Sequence, residues 1–404
     1  MIDYHLLLSV FIGVAVLVFL ILKFKMQPFL GLLISSILVG ILAGVPPLEI
    51  MATVKQGMGS TLGFVAVVVG LGAMFGAILE HSGGAEALAQ YLLKAFGEKN
   101  ASWALMITGF FIAIPVFFDV AFIILIPLVY SLQRKTKKSM LLYAIPLLAG
   151  LAITHAFIPP TPGPVAVADI LNADLGWVIL VGFIVGVPTA IISGPIFGKF
   201  IASKIFIAAP KIIDEKAISN FPPISLILTI ISTPILLIVL NTLLNSSISS
   251  GLNWSKTTIA WIQMIGHPFS ALIIANLMAW YLLGIRRGVS KTILSKITSA
   301  SLAPAGIIIL LTGAGGVFKQ MLITTGTGEM LANYFSSIGL NLLLFAFLAA
   351  VTVRILQGSS TVAMITAAGI TSSLITSPLG GFHTALIVIA IAAGASILSH
   401  VNDS

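Results

Sequence analysis

The chain has 404 residues, of which 58% are hydrophobic and 8% are charged, and apolar runs long enough to cross a bilayer as helices recur throughout. This composition excludes a soluble globular domain and predicts an all-α polytopic membrane protein. The net charge of +8 lies in short clusters between the apolar runs, which is typical of topology signals, so no nucleic-acid partner is expected.

The first apolar run, residues 6–22, predicts a span that is retained in the mature protein. It lacks a basic leader and a small-residue cleavage site, and Lys23 and Lys25 follow it, which is not typical of a signal peptide. The chain contains no cysteine and its six histidines are scattered, so neither a metal site nor a cofactor is expected.

Two further spans are predicted over residues 28–45 and 61–79. Placing four basic clusters in the cytoplasm leaves the amino terminus outside. Lys94 and Lys99 then also lie inside, so that 16 of the 20 basic residues are cytoplasmic. Lys55, Lys256 and Lys319 then fall outside, and Arg354 lies within an apolar run. The clusters are Lys23 with Lys25; Arg134, Lys135, Lys137 and Lys138; Lys199, Lys204, Lys211 and Lys216; and Arg286, Arg287, Lys291 and Lys296.

A segment at residues 70–92 recurs 243 positions later, at 313–335, with nine identities over 23 aligned residues. The identical pairs include Gly83 with Gly326 and Glu86 with Glu329. A long-period repeat in a membrane protein predicts a transporter built from two related halves. Both glutamates lie in amphipathic stretches, which favours a structural role at the surface.

Residues 101–131 must begin and end in the cytoplasm, yet 31 residues are too few for two spans of about 20 each. This length predicts a re-entrant hairpin, with its tip near residues 114–119, where Pro115 disfavours helix. Irregular backbone at that depth has to be sheltered by protein or line a cavity.

A broken helix is predicted next. Residues 140–154 are expected to enter the membrane as a helix, which the segment HAFIPPTPGPV with its four prolines then interrupts. A final span over 177–197 returns to the cytoplasm and gives the first half five net crossings. Because five is odd, the second half is expected to be inverted.

The second half is predicted to repeat this order upside down. Residues 224–244, 257–284 and 303–322 predict spans, 340–374 a second hairpin and 382–399 a second broken helix. The predicted division is therefore an amino-terminal repeat at 1–198, a cytoplasmic linker at 199–223 and a carboxy-terminal repeat at 224–404. The counterpart of the first half's last span is absent, so we expect about 30–50 further residues to complete the repeat.

Five motifs in this order resemble the gluconate/proton symporter (gluconate permease) family of bacterial inner-membrane carriers: EHSGGAEALAQ, IPVFFDVAFIILIPL, HAFIPPTPGPVAVA, QGSSTVAMITAAG and SHVNDS. The resemblance covers nearly the whole chain. It implies secondary active import of gluconate or a related small hydroxy or sugar acid together with H⁺. It also implies a homodimer or larger oligomer, by analogy with the wider superfamily of ion transporters, and no enzymatic activity.

An anionic substrate needs positive potential at mid-membrane, which helix amino termini at the two hairpin tips can supply. Asp119 precedes one helical run and Gly358, Ser359 and Ser360 precede the other, while the repeat places Thr361 opposite Asp119. The alternative is that these residues only cap helices.

Arg354 could bind the substrate carboxylate through its planar guanidinium. Alternatively, it pairs with a carboxylate of the protein or extends to the membrane surface. Thr161, Asn402 and Ser359 could hydrogen-bond substrate hydroxyls, or could instead satisfy backbone groups freed at the helix breaks.

Proton coupling requires a group whose protonation changes during the cycle, and Asp119 is the strongest candidate. His155 and His400, at matching repeat positions, are candidates for coupling or for substrate contact, and Asp403 is a further one. For each histidine the alternative is a hydrogen-bonded packing residue.

Other functions compete with proton symport of a sugar acid. The nearest alternatives are a sodium-coupled carrier and a carrier of another organic anion. A passive anion channel is a third, and an intramembrane enzyme would need a catalytic constellation of which only Asp119 with Asp403 is visible.

Overall fold

The computed structural model describes residues 4–210, 221–245, 255–327, 330, 341–357, 359–375 and 379–398. These residues form helices and no strand, and seven of their helical segments are long and apolar enough to cross a membrane. The predicted all-α polytopic membrane fold is thereby confirmed. The helices, numbered in chain order, are α1 (Tyr4–Phe24), α2 (Pro28–Leu42), α3 (Pro47–His81), α4 (Gly84–Phe96), α5 (Ala101–Ile112), α6 (Phe118–Thr136), α7 (Leu141–Phe157), α8 (Pro162–Ile170), α9 (Leu175–Ile191), α10 (Phe197–Ala202), α11 (Ile224–Asn245), α12 (Lys256–Gly266), α13 (Pro268–Met278), α14 (Lys291–Thr324), α15 (Leu342–Gln357), α16 (Ser360–Ser372) and α17 (Gly381–Ala395).

Two helices, α3 and α14, are much longer than the spans that the apolar runs predicted. Helix α3 has 35 residues and begins at Pro47 rather than near residue 61. At 1.5 Å per residue it is about 52 Å long, against a hydrocarbon thickness of about 30 Å. The polar residues Glu49 and Lys55 end the apolar run without ending the helix, because both are compatible with helical backbone.

The predicted span over residues 257–284 is interrupted by a proline. Helix α12 ends at Gly266, and α13 begins at Pro268, whose missing N–H is tolerated at the first helical position. His267 has extended backbone between them, and its Nδ1 accepts a hydrogen bond from the Phe269 N–H at 3.3 Å. His267 therefore caps α13.

The two copies of the repeated segment have the same local structure where the structure describes both. An offset of 243 residues maps the end of α3 at His81 onto the end of α14 at Thr324. Two residues later, Gly83 and Gly326 have φ angles of 72° and 69°. Glycine adopts this left-handed backbone without the strain that a Cβ would cause, which explains why both copies carry it.

One compact unit consists of residues 70–161 and 179–303. Its centre is the pairing of α5 with α7, against which α6 and α10 also pack. Gly109 lies against the Leu147 carbonyl, and Gly150 against the Met106 carbonyl. Glycines on both faces let the two backbones approach closely, which is how membrane helices gain packing energy.

The other compact unit consists of residues 1–69, 162–178 and 304–404, as far as the structure describes them. Here α16 packs against α8, α15 and α17, and residues 362–369 of α16 are all buried. Gly163 lies against the Met364 side chain, and Gly394 approaches the Phe347 carbonyl. Each compact unit takes segments from both predicted repeats, and the division at 198 and 223 stays a prediction.

Candidate functional site

The first predicted hairpin tip lies in the compact unit of residues 70–161 and 179–303. Helix α5 ends at Ile112 and α6 begins at Phe118, so the helix is broken around Pro115, as predicted. A Cβ added to Gly76 of α3 would lie 2.0 Å from the Pro115 carbonyl oxygen, and residues 112–116 are buried. The irregular backbone is therefore sheltered by protein, as a polar backbone in a membrane requires.

Asp119 lies in the first turn of α6, one residue inside the helix rather than at its cap. Its carboxylate is therefore at the positive end of the helix dipole, and its side chain is exposed. The ring of Phe118, next to it in sequence, lies 6.4 Å from the His155 ring, measured between centroids. The first turn of α6, which carries Asp119, therefore lies beside the last turn of α7, which carries His155, and the contact between them is made by Phe118.

The predicted broken helix is observed as α7 and α8, separated by residues 158–161. Pro159 and Pro160 lie in the break, whereas Pro162 and Pro164 begin the next helix, where missing N–H groups are tolerated. Thr161 is buried, and its hydroxyl donates a hydrogen bond to the Ile158 carbonyl at 2.6 Å. This contact favours the alternative in which Thr161 satisfies a freed backbone group.

The second hairpin tip lies in the other compact unit, between α15 and α16. Ser359 occupies the position that caps α16, with extended backbone, but its side chain makes no capping hydrogen bond. The first-turn N–H groups of α16 are therefore not satisfied by this hydroxyl. Ser360 and Thr361 occupy the first turn of α16 and are half-buried.

Arg354 lies in the last turn of α15 and is only 2% exposed. Its Nε donates a hydrogen bond of 3.2 Å to the carbonyl of Ile397, two residues beyond the end of α17. A guanidinium at the carboxy-terminal end of a helix is favoured by the helix dipole. The contact supports an internal role for Arg354 among the alternatives that the sequence left open.

A charged pair that the sequence did not single out lies in the same unit. Asp169, at the end of α8, and Lys319, in α14, interact electrostatically, and both are half-buried. A Cβ on Gly315 would lie 3.3 Å from the Ile170 side chain, and Lys319 follows Gly315 by one helical turn on the same face. The acidic residue at the end of the apolar run PGPVAVADI was the available signal, but its partner is 150 positions away.

Glu86, predicted to have a structural role at the surface, is half-buried in α4. Its Oε2 is buried and has no hydrogen-bond partner among the described residues. Burial raises the pKa of this carboxyl above its ordinary value, a backbone hydrogen bond opposes the rise, and repulsion from Glu80 adds to it. Its repeat counterpart Glu329 lies outside the described residues.

Four predicted site residues lie outside the described residues: Gly358, His400, Asn402 and Asp403. Their candidate roles stay predictions from the sequence.

Comparison with known proteins matches almost the whole chain to one family. The sequence profile described as "GntP family permease" matches residues 5–404. The low-affinity gluconate transporter of Escherichia coli strain K12 is 40% identical over 395 residues, covering 97% of this chain and 88% of that protein. The gluconate permease of Pseudomonas aeruginosa is 38% identical over 408 residues, covering 100% and 89%.

The fold also has a counterpart among solved structures. The crystal structure of the YdaH transporter of Alcanivorax borkumensis aligns with a TM-score of 0.51 over 84% of this chain and 75% of that one. At 15% identity, the likeness concerns the fold alone. The fold alone does not identify the family, but the profile match and the similar relatives do. This chain therefore belongs to the GntP family of permeases and is an integral membrane transport protein, not an enzyme.

Proposed function

We propose that this permease imports gluconate or a related small sugar acid across the bacterial inner membrane by proton symport. The observation that carries the proposal is the 40% identity, over 97% of this chain, to a protein named as a gluconate transporter. The basic clusters support an orientation with the amino terminus outside and the basic loops in the cytoplasm.

The substrate carboxylate is assigned to the amino-terminal end of α16. The N–H groups of the first turn point out of the helix end and carry its positive dipole, which favours an anion. Ser359, which makes no side-chain cap, and the neighbouring Ser360 and Thr361 supply hydroxyls that can bond the carboxylate or the substrate hydroxyls.

Proton coupling is assigned to Asp119, with His155 as the second candidate. Asp119 is an exposed acidic residue in the first turn of α6, so a proton can reach its carboxylate without unpacking the helix. His155 is half-buried, and its ring contacts the ring of Phe118, the residue before Asp119. An imidazole ring can bind and release a proton, which is why His155 is the second candidate for the group that carries the coupled proton.

Transport by the purified chain in proteoliposomes tests the function. An imposed pH gradient, acidic outside, is expected to drive labelled gluconate to a higher concentration inside than outside, and a protonophore is expected to abolish the accumulation. Accumulation that follows a Na⁺ gradient instead would show a sodium-coupled carrier. Flux that only runs downhill would show a channel, and uptake of another organic anion but not of gluconate would overturn the substrate assignment.

Asp119→Asn tests the coupling assignment separately. We expect loss of pH-driven accumulation with gluconate exchange across the membrane retained, because the amide keeps the shape of the side chain but cannot release a proton. Glu49→Gln, at an exposed carboxylate at the start of α3, is the matched control and is expected to accumulate gluconate normally. Full pH-driven accumulation by Asp119→Asn would rule Asp119 out.

A further inference from the structure

A cavity of about 640 Å³ lies apart from the residues assigned to transport, in the unit of residues 70–161 and 179–303. It is built where helices start and stop at one face of this unit: α5 and α7 begin there, and α10 ends there. Its volume is within the range of about 300–1,000 Å³ that small-molecule sites occupy.

Side-chain hydrogen bonds join the walls of this cavity. The Ser102 hydroxyl of α5 donates to the Leu142 carbonyl of α7 at 2.9 Å. The Ser139 hydroxyl donates to the Ile205 carbonyl at 2.8 Å, and Ser139 itself is buried. The walls are therefore tied together by the fold and not only adjacent on the surface.

The cavity is lined by three lysines, Lys99, Lys138 and Lys199, which come from three different segments. Glu98 is the acidic residue among the lining residues, and its carboxylate forms an ion pair with Lys135. The acid is thereby neutralised by a lysine outside the lining. The three lysines and Glu98 give the lining itself a net charge of +2, and counting Lys135 brings the local excess to three positive charges, which matches an anion of phosphate type.

Exposed apolar side chains adjoin these lysines on one side. Phe206, which lines the cavity, is 65% exposed, and the neighbouring Ile205 and Phe200 are 50% and 52% exposed. Lys204 lies over the Phe200 ring at 4.2 Å. Aromatic and basic residues combined in this way are typical of the level of lipid headgroups, where one end of a side chain meets hydrocarbon and the other meets water.

We propose that this cavity binds the phosphodiester headgroup of an anionic phospholipid, with the phosphate between the three lysines and the acyl chains along Ile205 and Phe206. A free phosphate would satisfy the lysines but would leave these apolar side chains uncovered. The headgroup with its attached chains satisfies both, so the lipid fits the combination of charge and apolar surface better than a soluble anion does.

The test uses purified full-length protein, depleted of lipid in detergent and titrated with dioleoyl phosphatidylglycerol, with lipid adducts counted by native mass spectrometry. The variant is Lys99→Gln/Lys138→Gln/Lys199→Gln. The control, Lys94→Gln/Lys291→Gln/Lys296→Gln, removes the same charge from exposed lysines that do not line the cavity. We expect the cavity variant to weaken the tightest phosphatidylglycerol adduct about 100-fold and the control to leave it within about threefold.

If the triple variant does not fold, the single variants Lys99→Gln, Lys138→Gln and Lys199→Gln are each expected to weaken the adduct about fivefold. Equal weakening by cavity and control variants would overturn the proposal, because it would show attraction by net charge alone. So would equal binding of dioleoyl phosphatidylcholine, which has no net charge. Displacement of the lipid by millimolar inorganic phosphate would assign the cavity to a soluble anion and overturn the lipid.

Discussion

Arg354 shows how a single intramembrane charge can be held by the protein itself. Its guanidinium is almost fully buried, and its Nε donates to the Ile397 carbonyl just beyond the end of α17. A hydrogen bond from a charged group is worth about 1.5–3 kcal/mol, and an orphaned carbonyl at a helix end costs additional free energy. The observed contact therefore gives Arg354 a role in holding the end of α17 against α15 without any substrate.

We expect Arg354→Ala to destabilise the folded transporter by about 2 kcal/mol, because the Ile397 carbonyl loses its donor. The KM for gluconate uptake is expected to stay within about twofold of wild type. Arg354→Lys, which keeps the charge but loses the planar fork, is expected to be intermediate in stability. Thermal unfolding in detergent and uptake kinetics measure the two effects, and a large rise in KM with unchanged stability would instead assign Arg354 to the substrate.

Asp169 and Lys319 are two half-buried residues of opposite charge that interact electrostatically. Substituting one of the two residues leaves the other as a half-buried charge without this partner, which destabilises the fold. Substituting both removes the interaction but leaves no unpaired charge from the pair. The cost of each single change is moderated because solvent still reaches both side chains.

The double variant Asp169→Asn/Lys319→Met is expected to be less destabilised than the sum of its two single variants. A coupling energy of about 0.5–1.5 kcal/mol from thermal unfolding of the four proteins would fit two charges that interact. Lys291→Met, at an exposed position of the same helix, combined with Asp169→Asn is the control and should be additive within about 0.5 kcal/mol. Additivity in the test pair as well would show that the two charges do not interact.

At the scale of elements, prolines and glycines decide where helices break and how closely they pack. The pair Pro159 and Pro160 lies in a break, whereas Pro146 is accommodated inside α7. A single missing donor can be bridged by the surrounding helix, but two consecutive ones cannot. Glycines act between elements instead, and the crossing of α5 with α7 depends on Gly109 and Gly150.

Gly150→Ala is expected to destabilise the protein by about 1–3 kcal/mol. The new Cβ would lie 2.2 Å from the Met106 carbonyl oxygen and 2.7 Å from the Phe110 nitrogen, so α5 and α7 would have to separate. Gly63→Ala, in α3, is the matched control, because nothing lies within 4 Å of its added Cβ. Alanine there is expected to be neutral or stabilising through helix propensity. Equal thermal stability of the two variants would contradict the packing argument.

At the scale of the whole molecule, the helices divide into two compact units, and α3 and α14 each contribute residues to both. The chain does not follow the order of the repeats in forming these units: residues 162–178 join the unit that contains residues 304–404. The orientation in the membrane is the large-scale property that the charge pattern predicts most directly.

The orientation can be measured by labelling, since the natural chain contains no cysteine. Lys55→Cys is expected to react with a membrane-impermeant maleimide in intact cells, because Lys55 is predicted to lie outside. Lys137→Cys and Arg286→Cys, in two of the basic clusters, are expected to react only after the membrane is permeabilised. The reverse pattern would invert the proposed topology and place the basic clusters outside.

The sequence by itself determined the properties that depend on neighbouring residues. Spans follow from apolar runs, breaks follow from Pro115 and from Pro159 with Pro160, and the repeat places a glycine of positive φ at both Gly83 and Gly326. Hairpin tips and the family resemblance were also available from such local patterns.

The tertiary structure alone decided which distant groups meet. Lys319 interacts with Asp169, 150 positions earlier, and the guanidinium of Arg354 donates a hydrogen bond to the Ile397 carbonyl. Helix ends beyond the apolar runs, as at the start of α3, also do not follow from hydropathy, because polar residues such as Glu49 and Lys55 are compatible with helical backbone. The hydropathy of neighbouring residues reflects the free energy of placing each residue in the membrane. Which distant residues meet depends instead on the free energy of packing whole helices, and this cannot be read from the residues of a single sequence.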